Sequence, residues 1–547
     1  MFVDGTLYSP YEHQDIQPEE STAVEFLLNR LIDLEGAGLG SNKWLTNAET
    51  GEFISVEEAD PMSRKIASGM FKRGMRHGDV MLYSSHEATW LHVFIFGVWR
   101  ANGTMRASYP EDSIDTIVDR ILESKIKWIL CDPNSAVEAL SAAVKVPWEV
   151  EVISFGNPPK GCISAHEIMN DDGSAFPAFS LQEEDMGLIL NTSGTTGASK
   201  GAVHTQRGLA KIFGTYAQTF SNQVYGGMLT MGRPTHITGS CIPFAALSAG
   251  KGLLQLNNVT MENIFHAVHH YKPEGIFGFP KYLLYLANSP DASKYDFSSL
   301  RVVSTGGVVI TPSFVQTMEC KLGVRVVNGY GMTECGLFTS TRSYDPNSES
   351  KILENIPDFS VGKLVPGTTL QVRDIDTGKP LGPNKEGELC FKNELMCAGY
   401  LNKREESEKT FPDGWLRTGD VGYFDENGFV FVVDRIKEIF KYYNNHISPS
   451  ELENIIQRHP AVNNVCVVGV PDPEGGDSVP RAFVTLKDVN VSAHEIRQFA
   501  NENMASYKKL RGGLIVLPEL PVGKTGKLER RVLSKIQISI PKEMSTF

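Results

Sequence analysis

Short apolar runs alternate with amphipathic segments of helical length over more than half of this chain. The apolar spacing predicts helices at 61–76, 87–100, 205–220 and 261–271. Short apolar runs predict strands at 78–83, 128–131, 150–154, 186–191, 275–278, 301–304 and 324–327. Because parallel strands need crossover connections, usually helices, this alternation predicts an α/β fold with parallel sheets.

The pattern changes after about residue 360, where glycines recur between β-type runs. The runs at 369–372, 387–391 and 428–433 predict antiparallel strands with frequent turns. A last region begins near Asp434. It has helix starts at Ser448 and Ser492, each followed three residues later by a glutamate as in a capping box, and strands predicted at 465–470 and 482–486. This region is predicted to be a small α+β domain.

A chain of 547 residues is too long for a single core. We predict a large domain over 1–434, with a β-rich subdomain at about 360–434, and a small domain over 435–547. The sequence contains no internal repeat and no low-complexity tail.

Composition argues against several classes of protein. A formal net charge of −13 does not suit a protein that coats nucleic acid or an acidic membrane. The eight cysteines are scattered and none forms a Cys-x-x-Cys pair, which suits a reducing compartment better than a zinc site. The sequence has no secretory apolar region, no bilayer-length apolar stretch and no Ser-Lys-Leu ending. We therefore expect an intracellular, cytoplasmic protein with no integral membrane segment.

Glycines, hydroxyl residues and one lysine crowd into the segment 192–201, directly after the strand predicted at 186–191. Glycines bring backbone N–H groups close to a ligand, and consecutive N–H groups form a concave anion site. This composition predicts a phosphate-binding loop that lacks the Gly-x-x-x-x-Gly-Lys-Ser/Thr pattern of the usual nucleotide-binding loop. The alternative is a surface turn. The candidate residues are Thr192, Ser193, Gly194, Thr195, Thr196, Gly197 and Lys200.

A second candidate segment, 328–334, follows the strand predicted at 324–327, the end at which α/β sheets bind ligands. The flanking glycines would leave the ring of Tyr330 free to stack on a base. Thr333 could donate to a phosphate oxygen, and Glu334 is a hard oxygen ligand suited to Mg²⁺. The alternative is a tight turn with a structural tyrosine.

Three other motifs are weak on their own. Asp420, after a glycine turn, could accept hydrogen bonds from both hydroxyls of a ribose. The charged segment 434–438, followed by Lys441, suits either a hinge between domains or a solvated charge run. Lys527, in a Gly-Lys pair near the end of the small domain, could swing onto a carboxylate or a phosphate, or could lie in a plain surface loop.

His266, His269 and His270 share the helix predicted at 261–271. A metal site would need a third partner from elsewhere, and no nearby carboxylate cluster supplies one. We interpret the three histidines as part of a surface helix face.

Together and in this order, the motifs resemble those of the adenylate-forming superfamily of acyl-CoA synthetases, 4-coumarate–CoA and other aryl-CoA ligases, luciferases and peptide-synthetase adenylation domains. The resemblance runs from about Met81 to Arg531 and is most specific at 192–201. It implies a large N-terminal domain of two doubly wound α/β subdomains plus a β-rich subdomain, and a small mobile α+β C-terminal domain. It also implies that Mg-ATP activates a carboxylic acid as an acyl-adenylate and that coenzyme A accepts the acyl group.

The resemblance implies a role for each matching residue. The loop from Thr192 to Lys200 would hold the β- and γ-phosphates, Thr333 would contact a phosphate, and Glu334 would bind Mg²⁺. Lys527 would bridge the carboxylate and the α-phosphate. The small domain would rotate about Asp434. This rotation would remove Lys527 from the site and present the opposite face of the domain, near Lys441, to the thiol. The adenine and ribose would contact Tyr330, Gly307, Asn328, Gly329, Asp420 and Arg435, and His236 would lie at the acyl pocket and coenzyme A tunnel.

Two positions depart from the family pattern. Val308 stands where the family often has alanine, and its bulk is expected to narrow or shift the acyl pocket. Asn444, after Lys441, stands where the family has glycine, and its extra bulk is expected to affect the access of coenzyme A. The turn itself can be kept, because asparagine tolerates positive φ better than other non-glycine residues. The alternatives are a luciferase-like oxygenase, an adenylating enzyme with another acceptor, and a non-enzymatic nucleotide-binding protein. The apolar residues near the acyl pocket suit a medium-chain or an aryl acid.

Overall fold

The computed structural model describes residues 1–12, 21–87, 89–192, 199–221, 227–345, 352–442, 445–471, 478–487, 491–522 and 528–536. The chain divides into two compact units. The first contains residues 1–3, 7–370 and 391–416, and the second contains residues 4–6, 371–390 and 417–547. The domain boundary that the sequence predicts at residue 434 stays a prediction.

The helices follow the predicted alternation, and the helix predicted at 261–271 has the observed bounds. Several observed helices were not predicted, and two of them, α1 (Ala23–Gly36) and α4 (Ile114–Ser124), begin at the hydroxyl caps Thr22 and Ser113. The helices are α1 Ala23–Gly36, α2 Val56–Lys72, α3 Trp90–Arg100, α4 Ile114–Ser124, α5 Ala136–Ala143, α6 Ala165–Met169, α7 Gln206–Ser221, α8 Ile237–Ser248, α9 Met261–Tyr271, α10 Pro280–Asn288, α11 Pro312–Leu322, α12 Arg404–Thr410, α13 Pro449–Ile456, α14 Ala493–Glu502 and α15 Arg530–Ser534.

The strands predicted at 128–131 and 186–191 are observed with the predicted bounds. The strands are β1 Phe2–Val3, β2 Thr6–Tyr8, β3 Lys43–Asn47, β4 Phe53–Ser55, β5 Val80–Ser84, β6 Thr104–Ala107, β7 Trp128–Cys131, β8 Glu151–Ser154, β9 Ile163–Ser164, β10 Met186–Asn191, β11 Gly201–Thr205, β12 Met228–Thr230, β13 Leu253–Gln255, β14 Gly275–Phe277, β15 Val302–Gly306, β16 Arg325–Met332, β17 Gly336–Ser340, β18 Lys363–Leu364, β19 Thr369–Arg373, β20 Pro380–Leu381, β21 Gly387–Lys392, β22 Leu416–Phe424, β23 Val430–Arg435, β24 Phe440–Tyr442, β25 Asn445–Ile447, β26 Val462–Pro471, β27 Ser478–Leu486 and β28 Leu514–Val516.

Two largely parallel sheets form the first unit, which confirms the predicted α/β fold. The first sheet has the order β11-β10-β6-β5-β7-β8-β9, and only the β10–β11 pair is antiparallel among its described pairs. The second has the order β18-β17-β16-β15-β14-β12-β13-β3-β4, with parallel strands from β16 to β3 and antiparallel pairs at both edges. Apolar residues of α9, α10 and α11 pack on the second sheet, and those of α4 and α5 pack on the first.

The second unit contains the antiparallel pair β22–β23 and the small α+β region predicted from the sequence. In that region β26 pairs antiparallel with β27, and β28 pairs parallel with β27. Both predicted helix starts are observed. The Ser448 hydroxyl accepts from the Glu451 N–H at 3.3 Å, and the Ser492 hydroxyl accepts from the Glu495 N–H at 3.2 Å. Apolar residues of α13 and α14 pack with those of β26 and β27 into one core.

The three histidines of α9 are all exposed, as the surface-face interpretation predicts. In the described part of the chain, no group of three or more histidine, cysteine, aspartate or glutamate side chains is arranged to hold a metal ion. Among the helices of the described residues, none combines the length and the apolarity that crossing a bilayer requires.

Candidate active site

The carboxyl ends of β15 and β16 bring two candidate segments side by side. Gly306 pairs with Gly329 in the parallel ladder, and Thr305 pairs with Asn328. A side chain at Gly306 would lie 2.6 Å from the Gly329 carbonyl oxygen, so the close approach of these strands requires glycine. Gly307 has a φ of +79° and open space where a side chain would begin. This end of a parallel sheet is where α/β folds bind ligands.

Tyr330 lies inside a strand rather than after one, which corrects the prediction for this segment. The strand β16 continues to Met332 and forms an antiparallel hairpin with β17. The continuation was missed because closely spaced glycines, here Gly329 and Gly331, normally signal a turn at the end of a strand. The half-buried ring of Tyr330 lies 5.7 Å from the ring of Phe338 and 5.9 Å from that of Phe391, measured between centroids. These aromatic contacts orient the phenol.

Thr333 and Glu334 form the tip of this hairpin. A side chain at Gly331 would overlap the carbonyl oxygen of Gly336, so the two strands can close only with glycine at this position. The tip is also held from β11, where Nε2 of the buried His204 lies 2.9 Å from the Thr333 carbonyl oxygen. Because a carbonyl oxygen only accepts, the imidazole donates from Nε2. Burial lowers the pKa of His204 to about 4, so the ring is neutral at pH 7.

We expect His204 to make the stability of this unit depend on pH. Its folded pKa of about 4 lies below the ordinary value of 6.5, so between these values the unfolded chain binds the proton and the folded chain does not. Stability should fall as the pH drops through this window, by up to about 1.4 kcal/mol per pH unit. Unfolding measured from pH 7 to 4 should show the advantage of the wild type over His204→Gln shrinking with acid. The exposed His266→Gln serves as control, and an advantage that stays constant would contradict the prediction.

Glu334 is buried, with an exposed fraction of 5%. Its Oε1 accepts a hydrogen bond from the Tyr400 hydroxyl at 2.7 Å, and its backbone carbonyl accepts from the Cys397 N–H at 2.7 Å. Burial and the Glu334 carboxylate raise the pKa of Tyr400, so the phenol stays protonated and donates. The sequence analysis did not identify Tyr400. The segment around it has no local composition that indicates a ligand site.

The two ends of the predicted phosphate loop lie side by side. The Thr192 N–H donates to the Lys200 carbonyl oxygen at 2.8 Å, and Asn191 pairs with Gly201 in the β10–β11 ladder. Thr192 and Lys200 therefore lie next to each other at the facing ends of two antiparallel strands of the first sheet. The predicted loop residues Ser193, Gly194, Thr195, Thr196 and Gly197 lie outside the described residues.

The ammonium of Lys200 contacts two side chains from the segment after β21. It forms a salt bridge with Glu406 on α12, and it lies 4.7 Å from the centroid of the Tyr400 ring. The salt bridge lowers the pKa of Glu406. Since Tyr400 also donates to Glu334, its side chain contacts both a candidate phosphate ligand and the candidate Mg²⁺ ligand.

Replacing Glu406 by glutamine should tighten the binding of ATP. The Lys200 and Glu406 side chains are 26% and 41% exposed, and pairs of this kind contribute about 0–1 kcal/mol. A triphosphate that recruits Lys200 must give up this pair, so its loss should improve affinity by up to about fivefold, most clearly at low salt. Equilibrium titration with ATP measures the effect. Glu408→Gln, which removes a carboxylate paired with Arg404 on the same helix, is the control, and equal effects of both variants would contradict the prediction.

The second unit holds the candidate ribose residues. Asp420 and Arg435 are partners in the β22–β23 ladder, and Arg435 Nε lies 3.2 Å from Asp420 Oδ1. The predicted glycine turn before Asp420 is wrong, because Gly419 lies within β22, although its φ of +71° requires glycine there. At the charged segment 434–438, Asp434 accepts from the Ser448 hydroxyl at 2.8 Å and the Ser450 N–H at 2.9 Å.

The remaining candidates have separate positions. His236 caps the N-terminus of α8, where its Nδ1 accepts from the Thr238 N–H at 3.5 Å, and α8 packs on α7. The backbone of Lys441 pairs with that of His446 in the β24–β25 hairpin. Lys527 and Asn444 lie outside the described residues. Val308 is 47% exposed, and its effect on the acyl pocket stays a prediction.

Comparison with known proteins identifies the family. The family model for AMP-binding enzymes matches residues 40–401, and the model for the C-terminal domain of AMP-binding enzymes matches residues 451–527. A 4-coumarate–CoA ligase-like protein 1 of Arabidopsis thaliana is 28% identical over 539 residues, 96% of each chain. Luciferin 4-monooxygenase of Photuris pensylvanica is 28% identical over 548 residues, 97% of each chain.

A solved structure has the same fold. The crystal structure of ATP-bound MatB from Rhodopseudomonas palustris matches with a TM-score of 0.83 at 24% identity, covering 94% of this chain and 99% of that chain. This likeness shows the fold, and the family matches span both units. The chain belongs to the AMP-binding enzyme family, within the adenylate-forming superfamily.

Proposed function

We propose that this protein is an AMP-forming ligase that activates a carboxylic acid with Mg-ATP and transfers the acyl group to coenzyme A. The observation that supports this most strongly is the contact of Tyr400 with both Lys200 and Glu334. Through this contact, Lys200, a cation suited to phosphates, and Glu334, a carboxylate suited to a metal ion, both touch the side chain of Tyr400 in the first unit. Full-length similarity to a 4-coumarate–CoA ligase-like protein supports coenzyme A as the acceptor.

The first half-reaction joins two anions. A carboxylate oxygen of the acid attacks the α-phosphorus of ATP, and the bond to pyrophosphate breaks. The acid is already ionised at neutral pH, so no general base is needed. The barrier is chiefly the repulsion between charges, and fixed cations aimed at the developing charge lower it. In this proposal Lys200 acts on the β- and γ-phosphates, and Lys527 acts between the carboxylate and the α-phosphate.

The donors at the hairpin tip suit Mg²⁺. Glu334 supplies a buried carboxylate, the hard oxygen ligand that Mg²⁺ prefers, and the neighbouring Thr333 offers a hydroxyl to a phosphate. When bound, Mg²⁺ would act as a Lewis acid on phosphate oxygens. The chain's own part is to hold the Glu334 carboxylate in place, which the Tyr400 hydroxyl does.

The nucleoside contacts that we propose follow the family resemblance residue by residue. Tyr330 would stack on adenine, with Gly307, Asn328 and Gly329 at the same edge of the second sheet. Asp420 would accept from the ribose hydroxyls, with Arg435 beside it. His236 would lie at the acyl pocket.

In the second half-reaction the thiol of coenzyme A attacks the acyl carbon, AMP leaves, and the thiol proton is released. We propose that the small domain predicted over 435–547 rotates between the two half-reactions, with Lys527 serving the first and the face near Lys441 serving the second. Such a hinge movement has two discrete states, and it would bend at the charged segment 434–438.

Oxygenation of the adenylate is the alternative, because luciferin 4-monooxygenase of Photuris pensylvanica is as similar in identity as the ligase-like protein. Another acceptor in place of coenzyme A would follow if Asn444 closes the route to the thiol. The three activities share the first half-reaction and differ in whether the adenylate then reacts with coenzyme A, with oxygen or with another acceptor.

The test measures pyrophosphate and AMP release with Mg-ATP, a panel of aryl and medium-chain acids, and coenzyme A present or absent. We expect repeated turnover of AMP with at least one acid only when coenzyme A is present, with the acyl thioester as product. A single turnover of pyrophosphate that coenzyme A does not change would contradict thioester formation. Oxygen-dependent turnover or light would favour the oxygenase.

A further inference from the structure

We propose that Tyr400 is a positioning residue for the phosphate and metal site, with its hydroxyl fixing the Glu334 carboxylate and its ring seating the Lys200 ammonium. This inference rests on the proposed function, in which Glu334 binds Mg²⁺ and Lys200 binds phosphates. It adds a residue that the sequence motifs do not contain.

The hydroxyl acts on Glu334. The phenol donates to Oε1 at 2.7 Å, and Tyr400 is buried, with an exposed fraction of 8%. A hydrogen bond to an ionised group is shorter and stronger than one between neutral groups. A carboxylate has about four lone-pair sites on its two oxygens. One hydrogen bond from the phenol can therefore fix the orientation of the carboxylate, and a carboxylate held in this way can still coordinate a metal ion. The Cys397 N–H fixes the backbone of the same glutamate.

The ring acts on Lys200. The ammonium lies 4.7 Å from the ring centroid, within the range in which a cation is attracted to an aromatic face. Because lysine has a flexible four-carbon side chain, its ammonium group needs a further contact to restrict the positions that it can occupy. The other contact, with Glu406, must be given up to a phosphate, whereas the ring contact can persist when the phosphate is bound.

Tyr400 itself is held by backbone contacts on β11. Val203 N–H donates to the Gly399 carbonyl at 2.9 Å, Ala398 N–H donates to the Val203 carbonyl at 2.8 Å, and Leu401 N–H donates to the Gly201 carbonyl at 2.8 Å. The Tyr400 N–H donates to the Ser407 hydroxyl at 2.8 Å. The strand β11, which follows the predicted phosphate loop, therefore fixes the backbone around Tyr400, and the Tyr400 side chain contacts Lys200 of that loop. Groups held on regular elements keep their geometry better than groups on loops.

Two variants separate the two contacts. Tyr400→Phe removes the hydroxyl and keeps the ring, whereas Tyr400→Leu removes both. Equilibrium titration with ATP, once with Mg²⁺ and once with EDTA, then measures the increase in affinity that Mg²⁺ confers. We expect Tyr400→Phe to reduce this increase by about tenfold, as for loss of one hydrogen bond to a charged group, and to leave metal-free binding within about twofold. Tyr400→Leu should weaken metal-free binding as well, by about two- to fivefold.

Tyr285→Phe on the exposed surface of α10 is the matched control and should change neither affinity. Thermal unfolding without ligand reports any loss of folding. The double variant Tyr400→Phe, Glu334→Gln should bind no more weakly than Glu334→Gln alone, because the hydroxyl acts through the carboxylate. An unchanged Mg²⁺-dependent increase in Tyr400→Phe, or equal losses with Mg²⁺ and with EDTA, would overturn the role of Tyr400.

The single variant Glu334→Gln separates this inference from the function on which it rests. If it abolishes the Mg²⁺-dependent increase while Tyr400→Phe does not, only the positioning role fails. If Glu334→Gln itself leaves the increase intact, the assignment of the metal ligand fails and the role of Tyr400 fails with it.

Discussion

Replacing Lys527 by alanine is expected to lower the rate of acyl-adenylate formation by about 10²–10³-fold, the effect of removing one preorganised donor from a charged transition state. Transfer from a supplied acyl-adenylate to coenzyme A should change little, because Lys527 is proposed to serve only the first half-reaction. The physical reason is that attack of a carboxylate on a phosphate gathers negative charge between the two groups. Pyrophosphate release measures the first step, and thioester formation from the synthetic adenylate measures the second.

Lys524 is the natural control for Lys527, since it lies three residues earlier in the same segment and has the same charge. Lys524→Ala should retain adenylate formation within a few-fold. Equal losses in both half-reactions of Lys527→Ala would mean that the residue supports folding or docking rather than the first chemical step. Equal losses in the two lysine variants would point to the general charge of the segment.

Replacing Glu334 by glutamine should lower the rate of adenylate formation by about 10²–10³-fold, as for Lys527→Ala. It should also raise the Mg²⁺ concentration needed for the half-maximal rate. Glutamine keeps the size of the side chain and can still accept from the Tyr400 hydroxyl, so the change removes the negative charge rather than the packing. The measurement is the rate of pyrophosphate release as a function of Mg²⁺ at saturating ATP.

Glu319→Gln, on the exposed face of α11, removes one charge from a residue to which we assign no part in the site and should leave the Mg²⁺ dependence unchanged. A Glu334→Gln protein that keeps the wild-type Mg²⁺ dependence at a reduced rate would contradict its role as a metal ligand. A protein that has lost its thermal transition would instead show that the buried carboxylate is needed for folding, and Glu334→Asp would then be the variant to measure.

Local sequence patterns were sufficient for the order of the elements. Apolar periodicity located β7, β10 and α9 at their observed bounds, because buried strands and amphipathic helices have distinct spacings. Serine hydroxyls located the starts of α13 and α14, since a cap depends on residues within one turn. The family resemblance also followed from short motifs, and the matches to both family models confirm it.

Local patterns failed where a distant strand decided the backbone. The glycines around Tyr330 indicated a turn, yet β17 pairs with this segment and extends β16 to Met332. Gly419 likewise indicated a turn, although β23 pairs across Asp420 and keeps the residue within β22. Glycine permits a turn and also permits close approach of strands, and only the partner strand decides between them.

The sequence by itself determined the α/β alternation, the phosphate-loop composition and the family. Only the tertiary structure brought Tyr400 to Lys200 and Glu334, and His204 to the hairpin tip. These contacts join residues far apart in the chain, through strands that pair by backbone hydrogen bonds. Because such pairing depends on which strands become neighbours, and not on the residues next to each side chain, no local spacing could indicate it.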